Sequence, residues 1–209
     1  VDTSGSMTHQ IAGFTNLSAR EVAAAMALVA YRTEPNFEIV GFSSSIQKDL
    51  PIQKTSTLSD VMSTILRLDA TYTYCRLPIT DAMTTKDDFD AFIFYTDSET
   101  ADGNPLRQHN RDDNHPFSHY LSEYREQRVE NAKIVVVAAC ATEFTLNDPS
   151  DVLGLDIAGF GTDVPAVISS FIGDVPEPKV PQPVETPTVQ VPTPDHRKDV
   201  VTSPPPSTV

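Results

Sequence analysis

Two runs of the chain are apolar without alternation. Lys133 to Cys140 reads KIVVVAAC, and Asp90 to Tyr95 reads DAFIFY before ending in Thr96-Asp97-Ser98-Glu99. Such runs belong to strands buried on both faces, and those strands occur in parallel sheets flanked by helices. The segments between and around them carry helical signals. Asn16 to Arg32 reads NLSAREVAAAMALVAYR, with Ser18 and Glu21 at the spacing of a capping box. Thr57-Leu58-Ser59-Asp60 repeats that spacing ahead of VMSTILRL. Pro78 to Thr85 is expected to form a short helix with Pro78 near its first turn. Pro116 to Asn131 is expected to be a charged surface helix, and Val164 to Ile172 a closing one. Phe37 to Ser43 alternates like a strand, Ser45 to Leu50 suits a second short strand, and Asp156 to Gly161 a last one. Strands alternating with helices predict a doubly wound, mostly parallel α/β sheet with helices on both faces. Ligands of such sheets bind at the carboxyl ends of the strands.

Two polar clusters fall at predicted strand ends, TDSE and the first seven residues, Val1-Asp2-Thr3-Ser4-Gly5-Ser6-Met7. In the second, Asp2, Ser4 and Ser6 occupy alternate positions, so a turn leaving a strand aims three oxygens at one point. Carboxylate and hydroxyl oxygens suit a hard divalent cation such as Mg²⁺, with Mn²⁺ as second choice, and offer little to zinc or copper. Two neutral hydroxyls leave the ion's charge under-compensated, which favours an anionic oxygen from a partner. The competing reading is a Ser/Gly turn that caps a helix.

The D-x-S-x-S loop resembles the metal-ion-dependent adhesion site of von Willebrand factor A domains. That resemblance implies a metal set of Asp2, Ser4, Ser6, Thr73 and Asp97, with serines and threonine at or near the ion and aspartates acting directly or through water. Family members often carry small residues just before the threonine, where this chain has Thr71 and Tyr72. Thr71 is therefore a rival ligand, and Tyr72 is expected to narrow the approach. In such domains the strand bearing the loop is central. The resemblance thus implies further apolar residues ahead of Val1 and an N-terminally truncated domain.

A narrower likeness rests on EVAAAMALVAYRTE, on CRLP after Thr73, on TDSET, on His115-Pro116 and on TLNDPSDVLGLDIAGFGTDVPAVI. Together these resemble the C-terminal A-type domain of Ro ribonucleoproteins, the TROVE family, over about residues 1–174. In that family an upstream ring of helical repeats binds the ends of misfolded small RNAs and the small Y RNAs. The resemblance implies an RNA-related parent protein, with RNA bound through that ring and not through this chain. Arg107 to Asn114 looks like an insertion relative to the family.

Composition narrows the function classes. The formal charge of −14 argues against a phosphate-backbone binder. Cys75 and Cys140, each in or beside an apolar run, make no disulfide framework and fit buried thiols in a reducing compartment. No stretch reaches the ~20 apolar residues of a membrane-spanning helix, and no signal peptide opens the chain. Cytoplasm, or nucleus, is the expected compartment. Ten of the seventeen prolines lie beyond residue 174, so residues 175–209 read as a Pro-rich disordered tail after a domain of residues 1–174. His109, His115 and His119 match no zinc spacing and sit among solvated charges. Glu99 reads as a carboxylate that supports the metal ligands from behind, or as a helix-start acid. With no nucleophile–base pair and no phosphate-cradling glycine loop, an enzyme is not expected. The leading expectation is a metal-binding A-type domain of a Ro-like RNA-binding protein that engages an acidic partner protein. An adhesion or matrix A domain is the first alternative, and a metal-assisted hydrolase the second.

Overall fold

The structure is a computed structural model that describes residues 1–11, 16–97, 102, 115–139 and 146–173. Ser98 and Glu99, the 107–114 insertion, His109, Cys140 and the 175–209 tail lie outside the described residues.

The KIVVVAAC run becomes β4, Lys133–Ala138, whose six residues are all buried. It pairs in parallel with β3, Ala91–Thr96, and with β5, Gly154–Ala158. On the far side of β3, residues 1–3 run extended between two neighbours. Asp2 N–H donates to Tyr95 O at 2.9 Å, while Thr3 N–H donates to Phe42 O at 2.9 Å and Phe42 N–H to Val1 O at 3.0 Å. Phe42 belongs to β1, Gly41–Phe42, which pairs antiparallel with β2, Ile46–Gln47. The D-x-S-x-S loop thus leaves a central extended segment, as its resemblance implied.

Alternation along β4 sorts the helices onto two faces. Val135 and Val137 pack with residues of α1 (Ala19–Thr33), α2 (Leu58–Leu66) and α5 (Val164–Gly173). Ile134 and Val136 face the other way, toward α3 (Leu77–Thr85) and α4 (Phe117–Gln127). The fold is the expected doubly wound α/β sheet.

Local chemistry sets the helix ends. Ser18 Oγ accepts from Glu21 N–H at 3.2 Å while Glu21 Oε2 accepts from Ser18 N–H at 2.8 Å, a closed capping box on α1. Thr57 and Asp60 repeat it on α2, at 3.1 and 3.2 Å. Pro78 sits in the first turn of α3, and Lys86 ends that helix at φ 64°.

Several boundaries differ from expectation. The alternating segment before β1 is ladder-paired only at Gly41–Phe42, and the next strand only at Ile46–Gln47. β5 spans Gly154–Ala158 and not Asp156–Gly161, because Gly159 turns the chain at φ 85°. α4 is shorter than Pro116–Asn131 and is no mere surface helix: it buries Phe117, Tyr120, Leu121 and Tyr124. Tyr124 accounts for much of that anchoring, since its hydroxyl accepts from Phe89 N–H at 2.6 Å and donates to Asp87 O at 3.0 Å.

Candidate metal centre

The site is built at the carboxyl ends of the central strands. Asp2 is fully buried, and both its carboxylate oxygens are held. Oδ1 accepts from Ser4 N–H at 2.8 Å, and Oδ2 accepts from the Thr96 hydroxyl at 2.7 Å. Ser4 is buried, and the chain then tightens into a 3₁₀ turn, Gly5–Thr8, that carries Ser6. The Ser4 and Ser6 hydroxyl oxygens lie 3.1 Å apart. Neighbouring ligands of an octahedral Mg²⁺ with metal–oxygen distances of ~2.1 Å are themselves ~3.0 Å apart. The serine pair therefore fits one edge of such a shell.

Asp97 follows Thr96 directly at the end of β3 and is half-buried. Burial pushes the Asp2 carboxyl above its ordinary value, hydrogen bonds from Ser4 and Thr96 oppose that push, and the Asp97 charge adds to it.

The third loop is pinned against the first. The Thr3 hydroxyl donates to Asp69 O at 2.7 Å, and a Cβ on Gly5 would stand 3.8 Å from Ala70 O. Tyr74 N–H donates to Ser43 O at 3.0 Å, anchoring the turn that contains Thr73, which is only 7% exposed. The rival, Thr71, sits on an exposed edge with its hydroxyl within 2.5 Å of Ser44 Oγ and 3.2 Å of Asp69 Oδ2. Tyr72 is 54% exposed. Between the two threonines, the buried hydroxyl is Thr73.

Among the described residues no three or more of His, Cys, Asp and Glu converge as a metal cluster. A site here depends on hydroxyls, which selects a hard cation over zinc. His115 and His119 are exposed, with ring centroids 4.0 Å apart.

Sequence patterning did not reveal three contributors. Thr96 ends an apolar strand and binds Asp2. Thr3 ties two loops together. Arg20, 3% exposed, reaches under the loop to donate from Nη2 to Ser4 O at 3.3 Å. Arg20's signal was available, as a lone charge on the helix face of Ala23, Ala24 and Ala27.

The family described as the Ro60 vWA domain matches residues 1–172. The chain belongs to that family. Relatives include the RNA-binding protein RO60 of Caenorhabditis elegans, 35% identical over 173 residues, covering 82% of this chain and 25% of that protein. The RNA-binding protein RO60 of Deinococcus radiodurans is also 35% identical, over 172 residues, 82% of this chain and 30% of its own length. The chain therefore spans between a quarter and a third of these relatives. The crystal structure of the Deinococcus radiodurans RO (RSR) protein superposes with a TM-score of 0.67 at 36% identity, covering 82% of this chain and 32% of that one. An aerotolerance-related membrane protein of Bacteroides fragilis aligns at TM-score 0.53 and 14% identity, over 82% of this chain and 94% of its own, a likeness of fold alone.

Proposed function

We propose that this vWA domain binds a divalent cation, Mg²⁺ by preference, and uses it to engage an acidic side chain of a partner protein. The observation that carries the reading is the Ser4–Ser6 hydroxyl pair at 3.1 Å, set beside the buried and doubly hydrogen-bonded Asp2. Ser4, Ser6 and Thr73 would supply neutral oxygens, while Asp2 and Asp97 would supply negative charge. The bound ion would offer a positive centre with a position open to an outside oxygen. Because the hydroxyls are neutral, an anionic oxygen is the favoured occupant of that position.

The parent protein, in this reading, is a ribonucleoprotein component. It binds RNA, as its RNA-binding relatives suggest by name, and the family resemblance extends this to small or misfolded RNA held by a region outside this chain. The domain itself is a binding module without turnover. Phosphate-ester hydrolysis lost in Asp97→Ala would overturn that. Among the described residues no helix is long and apolar enough to cross a membrane. A cytoplasmic or nuclear setting is proposed, and cell fractionation of the parent protein checks it.

Calorimetric titration with Mg²⁺ and Mn²⁺ tests the site on wild type and on a Ser4→Ala/Ser6→Ala double variant. Saturable heat that the double variant loses is the expected result. A folded wild type that gives no heat sinks the metal reading.

A further inference from the structure

Arg20 is the one charged residue buried on the face of α1 that packs into the core. Burying a guanidinium is costly unless nearby negative charge compensates it. Here the hydrogen bonding is thin. Nη2 reaches Ser4 O at a long 3.3 Å, and Nε is buried with no hydrogen-bond partner. Burial is the largest influence on the group and lowers its pKa, and the charges of Asp2 and Asp69 oppose that in part. Arginine keeps its proton throughout the accessible pH range, so this is a fixed positive charge directly behind the D-x-S-x-S loop.

A fixed charge there acts oppositely on the two states of the site. Without a cation, it offsets the buried carboxylate of Asp2 and steadies the loop through the Ser4 carbonyl. With a cation, it repels the ion at short range in a poorly screened setting. It also leaves the loaded site more positive, and so more attractive to an anionic partner.

We propose that Arg20 is a positioning residue that occupies the electrostatic place of the cation from below, holding the metal-free loop in shape and weakening cation binding. This rests on the metal reading above. The loop would then be formed before loading, and cation affinity would be held down in favour of affinity for the anionic ligand.

The test uses the 209-residue chain as wild type, Arg20→Met and Arg20→Lys, titrated with Mg²⁺ alone and melted in EDTA and in saturating Mg²⁺. Arg20→Met should bind Mg²⁺ roughly tenfold more tightly, the loss of one nearby unit charge at intermediate dielectric. It should melt below wild type in EDTA and regain most of the difference in Mg²⁺. Arg20→Lys keeps the charge and should stay within about threefold of wild-type affinity. If Arg20→Met is unfolded in EDTA, Mg²⁺ should refold it, and failure to do so where wild type binds overturns the proposal. Equal losses with and without Mg²⁺, or equal tightening in Arg20→Met and Arg20→Lys, would make Arg20 a packing residue only. No heat from wild type would remove the metal reading and this inference with it. Heat from wild type at unchanged Arg20→Met affinity removes this inference alone.

Discussion

Asp2 is a carboxylate with no exposed surface, two hydrogen-bond donors and a second carboxylate as neighbour. Its pKa is raised, burial being the largest cause, while the hydrogen bonds from Ser4 and Thr96 oppose the rise. The consequence has a definite sign. The unfolded state releases this proton near the ordinary value of 3.8, whereas the folded state holds it to higher pH. The contribution of Asp2 to stability is therefore greatest in acid and is lost as pH rises through its raised pKa. Asp2→Asn mimics the protonated form while Oδ1 continues to accept from Ser4. In EDTA at neutral pH the variant should melt above wild type. The difference should shrink toward pH 4, and Mg²⁺ should no longer raise the melting temperature. Thermal melts at several pH values, with and without the ion, check this. An Asn variant that melts lower in EDTA at neutral pH would show that the carboxylate stabilises the loop without a cation. Asp2, Ser4 and Ser6 were legible in the sequence because alternate spacing is a local property. Burial is not local. Which of Thr71 and Thr73 is covered, and that Thr96 and Arg20 close on the loop, depend on contacts between distant segments.

Elements whose ends are set by neighbouring residues were read closely, and those set by tertiary contact were not. Both capping boxes lie where their spacing put them, and Ser18 and Glu21 exchange both of their bonds. Ser18→Ala should cost about 1 kcal/mol, seen as a lower urea midpoint at unchanged slope. An unchanged midpoint would mean that packing of the alanine face holds the first turn unaided. The limits of α4 and β5 were misjudged because an aromatic anchor and a positive-φ glycine decide them. The limits of α5 were read to within a residue, and its last turn is held by a distant side chain. The Lys133 ammonium, on a strand buried throughout, donates to Phe171 O at 2.5 Å and Ile172 O at 3.2 Å in the helix's last turn. A cation at that end also meets the negative pole of the helix dipole. Lys133→Met keeps the length of the side chain but leaves those carbonyls short of a donor. It should destabilise by roughly 2 kcal/mol. Amide exchange should accelerate in α5 before β4, with Mg²⁺ affinity unchanged. Uniform acceleration across the sheet would mean that the lysine holds up the strand and not the helix.

At the scale of the molecule, three strand ends at one pole and a surplus of negative charge bear jointly on RNA. The sheet order, with residues 1–3 between β1 and β3, gathers the buried Asp2 and Thr96 and the half-buried Asp97 at one pole. That order was accessible from sequence only as a fold class, since nothing local says which strands are neighbours. Charge was legible directly. At −14, the chain repels a polyphosphate over distances comparable to the ~8 Å screening length of physiological salt. Phosphate contacts supply most of the affinity in non-specific nucleic-acid binding, so the chain lacks the term that usually dominates. A single cation at one pole offsets only a small part of that deficit. The chain alone, loaded with Mg²⁺, should therefore show no measurable affinity for a single-stranded RNA oligonucleotide at about 0.15 M salt. Fluorescence anisotropy at falling salt checks this. Binding that strengthens steeply as salt is lowered, and disappears in the Ser4→Ala/Ser6→Ala variant, would move RNA from the rest of the parent protein to the metal itself. Binding that survives that variant would instead point to a basic patch elsewhere on the chain. With neither outcome, a carboxylate on a partner protein is left as the anion best matched to the site. A carboxylate brings one compact charge to the ion and does not drag a charged backbone across an acidic surface.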